Sequence, residues 1–313
     1  MNAYRAILLL SALLLMVSCS TAPKPQENVV VIKNRAAEYA AYGNDYYRQG
    51  LYEKAIESFE LSLAYNGSVD NAPGMVSSYN SLGKVNLAKG DMETAAAYFL
   101  AAYELAAELG DGLLTAQTLN HQGELAMQGQ EYDRAVELYL EALQFAEDAA
   151  SDRTTAAILS NLGSGYRKLG QLETALSYFQ RSVELNARTK NYEELATSYY
   201  RIAALYSEMG EYGTSLQNIE DALRNDKKVE NSLGIAKDYL ARGIILKKAG
   251  RREEAYVSFQ RSLLVYRSMA LLYPDVSFES DVRRLLEYLI ELGEDLGKVE
   301  TDEYRRILEG DEE

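Results

Sequence analysis

Small and large apolar residues recur along this chain on a forty-residue beat. Gly43, Gly83, Gly123, Gly163 and Gly243 stand on it, and Ala203 fills the remaining slot. Twelve positions after each come Ala55, Ala95, Ala135, Ala175, Ser215 and Ala255. Four beyond those are Phe59, Phe99, Tyr139, Phe179, Ile219 and Phe259. Three further on the residue is always small: Ser62, Ala102, Ala142, Ser182, Ala222 and Ser262. A small residue held at one offset from a large one, six times over, defines a stacked array of a single supersecondary unit.

Within a unit the apolar spacing predicts two antiparallel helices, A and B. In the second unit helix A runs near residues 76–89, Gly90 breaks it, and helix B starts at about Asp91. Gly50, Gly170, Gly210 and Gly250 mark the same turn; the third unit departs, with Gly129 one residue early and Gln130 in the slot. Acids such as Glu53, Glu93, Asp133, Glu173 and Glu253 crowd the start of helix B, where the helix dipole favours negative charge. The beat glycine of helix A is expected to face the small residue of helix B, so that the two axes cross closely. After Pro274 the beat stops. Residues 274–296 predict one amphipathic capping helix, with Val282, Leu285, Leu286, Leu289, Ile290 and Leu292 turned to the last unit. Residues 297–313 form an acidic tail expected to fray, apart from a short helix over 304–308.

The series is clearest in the fourth unit, as Leu162-Gly163, Tyr166, Gly170, Ala175, Phe179 and Ser182. It resembles the tetratricopeptide repeat family. The forty-residue period and the Leu105-Ala106-Ala107-Glu108-Leu109-Gly110-Asp111 stretch resemble the longer-helix subclass of kinesin light chains, cell-polarity scaffolds and bacterial peptide-sensing regulators. Trp is absent, and the first aromatic slot carries Tyr39, Tyr79, Tyr199 and Tyr239, with Leu119 and Leu159 between. The resemblance implies an all-α fold: a right-handed superhelical solenoid of six helical hairpins over residues 35–273, closed by the C-terminal cap.

The first eighteen residues read as a targeting segment. Arg5 precedes an apolar run over residues 6–17, broken by Ser11 and too short to span a bilayer as a mature helix. The run ends in Met16-Val17-Ser18-Cys19, which resembles a bacterial lipobox; the resemblance implies cleavage before Cys19 and lipidation of its thiol. The rival site is ordinary cleavage after Ala22. Residues 19–34, with Pro23 and Pro25, read as a flexible tether, and Ser20 after the cysteine implies passage to the outer membrane, facing the periplasm.

Acids outnumber bases 47 to 32, a net charge of −15 that argues against nucleic acid as a partner. Cys19 is the single cysteine and His121 the single histidine, so neither a disulfide nor a two-histidine metal site is available, and no cofactor is expected beyond the lipid on Cys19. The glycines sit at packing points and turns, not in a phosphate loop. No segment of the array leaves room for a catalytic domain, and no catalytic residues are assigned.

The informative surface is the face of helix A opposite its core stripe, which in this family's superhelix lines the concave groove. Read over six units it carries Arg48, Lys84, Arg167, Lys168, Arg201, Lys237, Lys247 and Lys248 against Glu124 and Glu208. Asn44, Asn80, Gln117, Asn120, His121, Asn161 and Tyr200 share it and can hydrogen-bond an extended backbone. A basic groove in an acidic protein suits an acidic partner segment. The plainer explanation covers Arg48, Arg167, Lys168, Lys247 and Lys248, which sit in the last turn of helix A, where the dipole favours cations anyway. Lys84, Arg201 and Lys237 escape it. The family's carboxylate clamp is not reproduced, because His121 and Asn161 stand where it needs bases. Two functions follow: a non-enzymatic protein-interaction scaffold of the bacterial envelope, or a lipoprotein that hands small organic acids to a transporter. A buried pocket lined by Arg201 and Lys237 favours the second, an open groove the first.

Overall fold

The computed structural model describes residues 28–274 and 276–310, and the regular structure among them is entirely α-helical. Six hairpins follow one another: α1 (Val29–Arg48) with α2 (Tyr52–Gly67), α3 (Ala72–Lys89) with α4 (Met92–Leu109), α5 (Gly112–Gln128) with α6 (Tyr132–Asp148), α7 (Asp152–Lys168) with α8 (Leu172–Arg188), α9 (Tyr192–Glu208) with α10 (Tyr212–Lys228), and α11 (Ser232–Lys248) with α12 (Arg252–Leu272). Two further helices, α13 (Glu279–Leu296) and α14 (Thr301–Glu309), complete the described chain. Each helix packs on its sequence neighbours, and the A helices of consecutive units touch along the inner wall, giving a superhelical solenoid.

Turn chemistry explains the even spacing. Gly90 ends α3 at φ 87°, where a residue without a Cβ meets no penalty. In the third unit Gln130 itself takes the left-handed position at φ 62°, so the early Gly129 stays right-handed. The turn from helix B to the next helix A repeats the device, with Ala150 held at φ 51°. Replacing Ala150 with Gly is expected to raise stability by about 1 kcal/mol, since L-residues are disfavoured there and nothing else depends on its methyl. Chemical denaturation checks it; an unchanged or lower midpoint contradicts it.

The contact that demands glycine in helix A differs from the expected one. A Cβ on Gly163 would lie 2.6 Å from Phe179 Cδ1, and one on Gly83 would lie 2.4 Å from Phe99 Cε1. The aromatic ring of helix B, not its small residue, presses on the glycine. The small slot does sit at this level: Ser215 Oγ donates to the carbonyl of Ala203 at 2.6 Å. But the ring sets the spacing. The fifth unit supports this, since Ala203 replaces the glycine and the partner shrinks from an aromatic to Ile219, both fully buried.

The ends differ from the sequence-based boundaries. Residues 29–34, assigned to the tether, belong to α1, whose N-terminus is capped by Asn28 Oδ1 accepting from the Val30 amide at 3.0 Å. At the other end, residues 301–309 of the acidic tail are helical, because Tyr304, Ile307 and Leu308 pack on the cluster formed by α12 and α13. Tyr304 also accepts a hydrogen bond from Gln260 Nε2 at 3.1 Å. The targeting segment, Cys19 and the start of the tether lie outside the described residues. Among the described residues no helix is long and apolar enough to cross a membrane.

The superhelix comes round on itself. The first hairpin's turn, residues 45–52, faces residues 229–233 and the Met269, Tyr273 and Phe278 side chains across a cavity of about 570 Å³. The concave wall is therefore a deep trough whose first and last units lie opposite each other.

Candidate partner-binding groove

Most of the polar residues assigned to the groove are engaged with one another. Asn80, 6% exposed, donates from Nδ2 to Thr118 Oγ1 at 2.9 Å and ties the second unit to the third. Asn161 Nδ2 donates to Asn120 Oδ1 at 3.0 Å and to Glu124 Oε1 at 3.1 Å, tying the third unit to the fourth. Asn120 Nδ2 also donates to Glu124 Oε1, and His121 Nδ1 to Glu124 Oε2 at 3.0 Å, while the His121 ring stacks on Phe99. The bonds between units in this ladder are register chemistry, because each joins a helix A side chain to one on the neighbouring helix A.

Glu124 anchors the ladder. Burial inside the trough would push its carboxyl up, but the charge and hydrogen bond of His121, together with Lys84 and the Asn161 amide, outweigh burial and hold it at about 2. Lys84 acts on Glu124 from the preceding unit without an ion pair to it, and its ammonium lies 5.5 Å from the centre of the Tyr47 ring. Arg167 makes a bidentate pair with Glu208 of the next unit, Arg48 pairs with Asp45, and Lys247 reaches Glu291 of α13 at 2.6 Å. Asn44 turns back to the carbonyl of Ala40 at 2.9 Å, and Gln117 is half-buried on the same wall. Three of the eight bases of the stripe, Arg48, Arg167 and Lys247, are therefore ion-paired from within.

Arg201 and Lys237, like Lys84, Lys168 and Lys248 among the described residues, are not. Arg201 Nη1 donates to Ser160 Oγ, yet among the described residues no carboxylate comes within ion-pair distance of either side chain. Burial pulls the Arg201 guanidinium down from its usual range, although a guanidinium stays charged at any ordinary pH. Both line a cavity of about 580 Å³ in the trough, with Arg48 opposite, Arg167 and Tyr200 at its side, and Glu193, Asp226 and Asp238 completing the wall.

Asp226 and Asp238 were not assigned from the sequence. They are 5% and 2% exposed and meet where α10 packs on α11. Two other junctions hold neutral groups at these positions: Asn66 Nδ2 donates to Ser78 Oγ at 3.4 Å, and Asn186 Nδ2 to Ser198 Oγ at 3.4 Å. Aligning the units on their beat exposes the anomaly, since an Asn–Ser pair becomes Asp–Asp forty residues on. Burial, then the neighbouring Asp226, raises the Asp238 carboxyl to about 8. Asp226 Oδ1 accepts from Asn231 Nδ2 at 2.9 Å, whereas Asp238 Oδ2 is buried without a donor. A proton on that oxygen, given to Asp226, supplies the missing bond. Among the described residues no group of three or more metal-ligating side chains is placed to hold an ion.

A model of the tetratricopeptide repeat matches residues 35–108, 74–148 and 154–228. The chain is 28% identical over 142 residues to the anaphase-promoting complex subunit CDC16 of Saccharomyces cerevisiae, a stretch covering 45% of this chain and 16% of that protein's length. Its fold is similar to a Rap protein crystallised with the competence and sporulation factor, at a TM-score of 0.64 and 16% identity over 88% of this chain and 74% of the other. It is also similar to aspartyl phosphate phosphatase F of Bacillus subtilis, at a TM-score of 0.62 and 14% identity over 98% and 80%.

Proposed function

Because this chain belongs to the tetratricopeptide repeat family, whose fold is typically a non-catalytic scaffold for protein partners, we propose that it is a non-enzymatic adaptor of the bacterial envelope, held by a lipid on Cys19, that takes a partner segment along its concave trough. The observation that carries this reading is the cavity in the trough wall where Arg201 and Lys237 make no ion pair among the described residues, while Arg48 and Arg167 beside them are paired with Asp45 and Glu208. An acidic segment supplies what they lack. The Rap protein, of similar fold, was crystallised with a bound factor, which suits a trough that receives a ligand. An apolar leader ending at Cys19 supports the envelope location, with the outer membrane as destination and an envelope protein as partner.

The second reading, a lipoprotein that binds a small acid for a transporter, draws on the same cavity. Its volume of about 580 Å³ falls within the range of small-molecule sites. A photo-crosslinking residue placed at Gln117 or Thr197 on the trough wall, and at Leu264 on the outer face, separates the two in cells. The scaffold reading expects an envelope protein captured from both trough positions and not from Leu264. Capture from Leu264 alone would overturn it. A trough that captures no protein, in a chain that purifies with a small acid, would move the assignment to transport.

A further inference from the structure

The cavity wall has two features that belong together: a guanidinium without an ion-pair partner among the described residues and a carboxyl pair in a layer built elsewhere from neutral groups. Resting on the trough as the ligand site, we infer that this cavity is a carboxylate subsite, in which Arg201 receives one acidic group of the ligand and a proton shared by Asp226 and Asp238 keeps the wall cationic enough to hold it. Arg201 is fixed rather than free. Its guanidinium is anchored on the buried Ser160 hydroxyl of the preceding unit, which leaves its other N–H donors for a ligand. Deep within the trough it is poorly hydrated, so a carboxylate that pairs with it loses little competing solvation and can bind in two-pronged fashion.

The charge on the wall depends on the carboxyl pair. Four bases line the cavity (Arg48, Arg167, Arg201 and Lys237) against Glu193 and the Asp226–Asp238 pair. While the pair holds its proton, those bases face two negative charges; without it they face three. The groups that bear on the pair come from every helix packed around it: Glu193 and Tyr200 from α9, Glu220 from α10 and Lys237 from α11, with Arg284 of α13 acting on Tyr200. Lys237 is the one base among those acting directly on the pair. Loss of the shared proton draws Lys237 toward Asp226 and away from the ligand. The proton itself sits where a hydrogen bond is missing, on the donorless Asp238 Oδ2.

The test uses the full mature chain and a rhodamine-labelled, end-blocked tetraglutamate peptide, followed by fluorescence anisotropy at pH 7 and pH 9, where the peptide's own charge is constant. Wild type is expected to bind saturably at pH 7 and about tenfold more weakly at pH 9, the scale of one added charge near the site. Asp238→Asn, which fixes a donor in place of the proton, should bind equally at both. Arg201→Gln should lose binding at both, and Arg201→Lys should recover part of it, with circular dichroism confirming the helical fold of each. Arg201→Gln binding as tightly as wild type, or no saturable binding by wild type at pH 7, overturns the subsite. A pH dependence that persists in Asp238→Asn overturns the role of the pair. If Arg201→Gln does not fold, Arg201→Lys and Asp238→Asn decide the question by the same criteria. Capture of an envelope protein from Gln117 that survives in Arg201→Gln leaves the scaffold reading standing after the subsite has fallen.

Discussion

Gly163→Leu is expected to cost about 3 kcal/mol or more, and to break the array into two separately melting parts. The added Cβ would already lie within 2.6 Å of the Phe179 ring, which is itself fully buried, so the ring has no open space to move into. The helices of the fourth unit must separate, and both neighbouring units lose the surface on which they stack. In a solenoid, stability is the sum of unit terms and nearest-neighbour interfaces, so a failed middle unit uncouples the ends. Urea denaturation followed by circular dichroism should show one cooperative transition in wild type and two in the variant. The pair Ala203 and Ile219 suggests the complementary change. Gly163→Ala combined with Phe179→Ile should recover stability lost by Gly163→Ala alone, because the smaller side chain makes room for the methyl. A fully helical Gly163→Leu with an unchanged midpoint would mean that the ring does not set the helix spacing.

The second large effect is a pH dependence that runs against the usual acid denaturation. The folded protein keeps a proton on Asp238 up to about pH 8, whereas an unfolded chain gives it up near 4. Between those values folding takes up a proton, so the contribution of this pair to stability falls as pH rises, and it levels off above 8. Asp238→Asn removes the proton uptake and provides an amide that can donate to Asp226. We expect it to stabilise the protein by about 2 kcal/mol at pH 8, well under the limit set by the full shift, because water entry and side-chain relaxation soften a buried charge. That corresponds to a rise of about 4–8 °C in Tm, shrinking toward zero near pH 4. Parallel melting curves of wild type and variant from pH 4 to pH 9 measure it. A difference that stays constant across that range would show that the pair holds no extra proton.

The repeat was legible in the sequence because each unit solves one packing problem in the same way. A glycine beneath an aromatic ring needs fixed offsets, and six copies of those offsets leave little room for another register. The capping helix was legible from its apolar stripe, and the left-handed turn from Gly90 and its counterparts. The identity of the residue that presses on the glycine was hidden. Offsets along a helix show which residues share a face, but not which atom of a partner helix arrives first.

The trough was legible only as a stripe. Periodicity placed Lys84, Arg201 and Lys237 on one face of helix A, but gave them equal weight. Tertiary structure separates them, because the carboxylates that act on these bases come from other units: Glu124 acts on Lys84 from the next repeat, and Glu208 takes Arg167 from forty-one residues away. Asn80, Asn120 and Asn161, read as free donors for a ligand, are spent on holding repeats in register. Sequence alone determined the period, the helical hairpin, its turns and the acidic composition, since these depend on local propensity and on offsets within one unit. Only the superhelix decided which charges remain unpaired, which carboxyls share a proton, and that Arg48 of the first unit stands across from Lys237 of the sixth. Those outcomes depend on how far each unit rotates on the last, a small angle that no single repeat encodes and that six of them compound.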